Sequence, residues 1–155
     1  MVDDLQIARA LHVLAVVVWI GGVSMVTTVL LPMVRGLDAS ARPEMFEAIE
    51  RRFRPLARIA VLVAGLSGLY MLVRLDLWDR FASPAYWWMH AMVLVWLLFA
   101  LLLFVIEPRS AHRGSEAASG DKFGRMVRLH WVLLILSALT ILGAVAGSHG
   151  ASLSG

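Results

Sequence analysis

Apolar residues gather in four long blocks, at 7–33, 56–75, 85–106 and 127–147, separated by short polar and basic stretches. Each block is close to or above the ~20 residues that an α-helix needs to cross the hydrocarbon of a bilayer. None alternates apolar and polar positions as a barrel strand does, and in lipid only helices and closed barrels satisfy every backbone group. The pattern predicts an all-α integral membrane four-helix bundle, one transmembrane domain over 1–155.

The polar stretches refine this picture. In 44–54, Met45, Phe46, Ile49 and Phe53 recur at helical spacing among Glu47, Glu50, Arg51 and Arg52. That pattern predicts an amphipathic segment in the inner headgroup layer, ended by Pro55 before the chain turns into the second span. Glu107-Pro108 stops the third helix, and the small, polar stretch 112–120 predicts a mobile loop. Trp78, Phe81, Tyr86, Trp87 and Trp88 suit the membrane–water boundary. Asp3 and Asp4 precede the first block where a signal peptide would carry basic residues, and the block outruns a signal-peptide core, so it reads as a retained span.

Composition agrees, with 60% hydrophobic residues among 155 and a mean hydropathy of +0.79. Arg35, Arg42, Arg51, Arg52, Arg54 and Arg58 lie in or beside the first long loop, and Arg109, Arg113, Lys122, Arg125 and Arg128 in or beside the second. Only Arg9, Arg74 and Arg80 lie on the other side, so the positive-inside rule places both termini outside a bacterial inner membrane. These topogenic arginines account for the high isoelectric point without a nucleic-acid partner. With no cysteine, thiolate metal sites, disulfides and covalent c-type haem are excluded.

Candidate chemistry centres on two histidines inside spans, since ionisable residues there mark function by default. His12 and His90 each lie about five residues below the start of their span, roughly 7–8 Å deep at ~1.5 Å per residue. Parallel first and third spans would present both to one metal. The alternative for each is a hydrogen bond to a carbonyl or hydroxyl on a neighbouring helix. No second histidine sits one turn away and no acidic residue is expected inside the spans, which disfavours zinc. A b-type haem needs only one or two axial ligands and an apolar, small-residue-lined space. His130 enters its span from the opposite end, roughly 25 Å from the outer face, and has no expected partner. His112 and His149 read as solvated.

Around the pair, Trp19 lies on nearly the same helix face as His12, with Val16 and Val23, as a pocket wall or as bundle core. Arg9 lies one turn above His12, placed for a haem propionate or for lipid headgroups. Ala60, Ala64 and Gly68, with Gly143 and Gly147, form small-residue seams that serve the bundle or a homo-oligomer. A flat cofactor edge could also enter such a seam, at Gly68 or at Gly22. Among the methionines Met92, near His90, is the one candidate soft ligand.

Leu11-His12-Val13 followed by Trp19-Ile20-Gly21-Gly22 resembles the first span of the HemJ-type and CopD-type four-helix membrane proteins. The resemblance continues through Arg51-Arg52-Phe53, Gly65, Gly68 and Trp88-Met89-His90, covering about 8–106. Resemblance to the HemJ type implies haem b and protoporphyrinogen oxidation, with His12 and His90 at the matching positions and Met92 where that family has lysine. Resemblance to the CopD type implies copper handling across the inner membrane.

The leading expectation is one haem b per chain on His12 and His90, in electron transfer or membrane-embedded oxidation. A lipid-dissolved quinone or small redox substrate, and a redox protein, would be its partners. Two axial histidines would make a carrier, and one would leave a coordination position open for an enzyme. The alternatives are copper or other metal-ion transport or resistance, and a non-catalytic scaffold.

Overall fold

A computed structural model describes residues 3–107 and 120–148. The loop expected over 112–120 lies outside these but for Gly120, as do His112 and His149. Four helices are long and apolar enough to cross a membrane: α1 (Asp4–Arg35), α2 (Arg42–Arg74), α3 (Pro84–Ile106) and α4 (Gly120–Ser148). Their outward faces carry residues such as Leu14, Val17, Leu66, Leu94 and Leu142, each well over half exposed and suited to acyl chains.

α1 starts at an Asp3 cap reinforced by Gln6, which answers the capping residue's own backbone N–H. Asp4 accepts from the Tyr70 hydroxyl at 2.6 Å and pairs with Arg74 at 3.2 Å, tying the start of α1 to the end of α2. Toward its other end, α1 widens into a π-helical segment, Val26–Leu30. There Thr27 and Thr28 hydroxyls donate to the Val23 and Ser24 carbonyls at 2.7 and 2.8 Å. Such back-bonding competes for the carbonyls a regular helix would use, and Pro32, one turn on, brings no N–H of its own. α3 widens likewise at Leu102–Ile106.

The amphipathic stretch 44–54 is not a separate surface element. It forms the first third of α2, which runs unbroken through Pro55 for 33 residues, about 50 Å at ~1.5 Å each. The hydrocarbon core is ~30 Å thick, so the charged end of α2 stands beyond it while staying on the bundle. Pro55 removes one backbone bond without turning the chain, because Phe46, Ile49 and Phe53 pack with Val26, Leu31 and Val34 of α1.

α1 packs on α2, α2 on α3, α3 on α4 and α4 on α1, so α1 and α3 stand diagonally opposed. The shared core contains Trp19, Val23, Val61, Ala64, Phe99 and Leu133. Trp19 meets Phe99 edge to face, with centroids 4.8 Å apart. The small-residue seams hold aromatic rings, with Trp96 over Gly65, Trp87 over Gly143, Trp88 over Gly147 and Phe53 over Gly22. In lipid, where no hydrophobic force draws helices together, this interlocking of rings and notches supplies the packing.

Candidate functional site

His12 sits on the α1 face turned to α2. Its Nδ1 lies 2.9 Å from the Ala64 carbonyl and 3.2 Å from the Ser67 hydroxyl. A carbonyl only accepts, so Nδ1 carries the hydrogen and donates, and in the neutral ring Nε2 keeps its lone pair. The Ser67 hydroxyl gives its own hydrogen to Val63 at 2.5 Å, which leaves its oxygen facing the imidazole. Gly68 makes the approach possible, since a Cβ there would meet His12 Cε1 at 3.2 Å. An imidazole whose N–H is anchored on a carbonyl while the other nitrogen stays free is the usual posture of a metal-ligating histidine.

His90 is exposed and stacks edge to face on Phe81, with centroids 5.1 Å apart. Among the described residues, no hydrogen bond or ring contact joins it to His12, and the diagonal placement of their helices keeps the two imidazoles on different neighbours. Trp19 is buried core, and its indole Nε1–H has no partner among the described residues. Arg9 is exposed. The Gly22 and Gly68 notches, expected to admit a flat cofactor, hold the Phe53 ring and the His12 ring. Met92 is half-buried beside exposed Val93 and Leu94. No three His, Asp or Glu side chains gather as a metal site among the described residues.

The other end of the bundle holds a polar cluster that the sequence reading did not anticipate. Glu107 pairs with Arg54 Nε and, at 3.6 Å, with Arg58. Arg54 also reaches Glu50 at 3.5 Å. The Arg58 guanidinium donates twice to the Leu103 carbonyl, at 2.9 and 3.1 Å, within the π segment of α3. Widening a helix leaves carbonyls short of an intrahelical donor, and Arg58 supplies one. Beside this network a cavity of about 190 Å³ reaches inward to Trp19 and Phe99, with Glu50, Arg54, Glu107 and His130 among its walls. His130 Nδ1 donates to the Met126 carbonyl at 3.0 Å, and its ring meets Phe46 edge to face.

The signal for this cluster was the spacing of Glu50, Arg54 and Arg58, one helical turn apart twice over. It appears as a face only if α2 continues through Pro55. Replacing Glu107 by alanine would leave two guanidinium groups at the bundle edge without their shared carboxylate. Breaking a buried pair costs about 3–5 kcal/mol, and partial exposure of these side chains, 21% for Glu107, lowers that to about 2 kcal/mol. Thermal unfolding in detergent should show Glu107→Ala melting clearly below the wild type.

No curated protein and no solved structure gives a significant match to the chain. The model of the family copper resistance protein D matches residues 47–147, well over half of the 155, and the chain belongs to that family.

Proposed function

We propose that the protein handles copper inside the membrane, with His12 as its ligand on the outer side and the ion as cargo. The match of 47–147 to copper resistance protein D carries this reading. Basic residues bordering both long loops favour a topology with the termini outside an inner membrane, which sets His12 in the outer half. Chemistry supports the ion: imidazole and thioether suit copper, and the chain has five histidines, eight methionines and no competing thiolate. The matched segment begins beyond α1, so it includes His90 and His130 but neither His12 nor Trp19. The assignment of His12 therefore rests on its own geometry, an Nδ1–H anchored on a carbonyl inside the bundle, which leaves Nε2 of the neutral ring as the acceptor nitrogen.

Haem on His12 and His90 is the competing reading, and the residues do not fit it. Their rings engage α2 and Phe81, and the two glycine notches are filled by protein side chains. Reconstituted into liposomes, the protein should accumulate copper above protein-free vesicles, and His12→Ala should abolish the difference. A wild type that moves no copper and shows a reduced b-type absorption band would return haem to first place.

A further inference from the structure

We propose that Glu50 and His130 form a proton-binding site at the end of the bundle opposite His12, and that a proton taken up there exchanges with copper. The inference rests on the copper reading and adds the counter-ion to it.

Four observations carry it. The 190 Å³ cavity and a smaller one of about 50 Å³ share four lining residues, and the two polar ones are Glu50 from α2 and His130 from α4. An acid and a base on different helices thus face the same space. His130 anchors its Nδ1–H on Met126, so its neutral ring offers Nε2 as an acceptor. Glu107 is held by Arg54 and Arg58 together, whereas among the described residues Glu50 pairs with Arg54 alone, at 3.5 Å and already engaged by Glu107. Among the described residues no third His, Asp or Glu joins this pair as a metal site, so a proton is the cation that two such groups suit.

Around the pair, among the described residues, α2 brings Glu47, Glu50, Arg54 and Arg58, α3 brings Glu107, and α4 brings His130, while α1 brings the apolar Trp19, Val23 and Val26. With Glu50, Glu107, Arg54 and Arg58 ionised, the charges of these four groups cancel, and exposed Glu47 adds a negative charge at the rim. One proton, bound as O–H on Glu50 or N–H on His130, adds one positive charge to the cluster. A copper ion elsewhere in the same bundle raises the same low-dielectric interior by positive charge, so each cation disfavours the other. Glu50 lies fourteen residues from Ala64, which holds the His12 ring, about 21 Å along α2, so the repulsion acts across the apolar interior of the bundle and not between neighbours. Moving one positive charge in as another leaves avoids charging the bundle, which is exchange. O–H or N–H is the only covalent bond that forms or breaks, and the coordination bond from His12 would form and break as the ion enters and leaves, with no change of oxidation state.

The test uses the full chain in liposomes loaded with a pH-sensitive dye, with a copper gradient imposed across the membrane. Wild type should move protons opposite to copper. Glu50→Gln and His130→Gln should each bring the copper-driven proton signal down to the protein-free background, while Glu44→Gln, exposed in the first turn of α2, should leave it intact. Copper titration of each variant in detergent separates loss of the proton site from loss of fold. Proton movement that persists in both variants overturns the proposal, as does copper movement by the wild type with no proton signal, which would leave the copper reading standing. Absence of copper binding and movement in the wild type overturns both.

Discussion

Changing His12 to alanine should weaken copper binding by at least about tenfold, or 1.4 kcal/mol, with little effect on folding. The imidazole makes one hydrogen bond to the Ala64 carbonyl and lies near the Ser67 hydroxyl. A single neutral hydrogen bond contributes about 1 kcal/mol, and Ala64 stays inside a continuous α2 helix, with the Ser67 hydroxyl 3.2 Å from its carbonyl. The fold thus depends weakly on His12, whereas copper binding depends on it strongly if it is the ligand. Copper affinity by competition with a chelator, alongside the melting temperature, separates the two. A parallel loss of stability and binding would show that His12 is merely a packed core residue. His12→Met, which restores a soft ligand without a hydrogen-bond donor, should recover part of the affinity but not the anchored geometry.

The largest stability effect is expected at Gly65. A Cβ there would fall 2.5–2.6 Å from the middle of the Trp96 indole, and that indole is fixed by its Nε1–H donating to the Val61 carbonyl at 2.8 Å. Moving the ring aside strains the α2–α3 contact and breaks the bond. Overpacking costs about 1–3 kcal/mol and the lost bond about 1 kcal/mol, so Gly65→Ala should destabilise by roughly 2–4 kcal/mol. Gly21 is the control, because a Cβ there meets nothing within 4 Å. Gly21→Ala should gain up to about 1 kcal/mol from helix propensity alone. Unfolding in detergent of both variants would check the sign at each site, and equal stabilities would mean that Trp96 is not locked over α2.

Hydropathy fixes the four spans because a bilayer selects on length and apolarity, quantities written along the chain. The order of helices around the bundle is not written there. Parallel directions made α1 and α3 look like partners, and equal depth then made His12 and His90 look like a pair. The closure α1–α2–α3–α4 instead turns His12 onto Ala64 and Ser67. That hydrogen bond was the alternative weighed from sequence for each histidine alone. The cluster of Glu50, Arg54, Arg58 and Glu107 was hidden by Pro55, since a proline after a basic stretch reads as a break, and the packing of Phe46, Ile49 and Phe53 on α1 overrides it. Gly65 and Gly68 were visible as small residues, but which ring fills each notch depends on neighbours that only the fold brings near.

Equilibrium dialysis of the purified wild-type protein against copper, read as metal per chain, tests the central claim most directly. Saturable binding near one ion per chain, lost on changing His12 and retained on changing exposed His90, is the expected result. A wild type that binds no copper, or binds it equally well without His12, would contradict it.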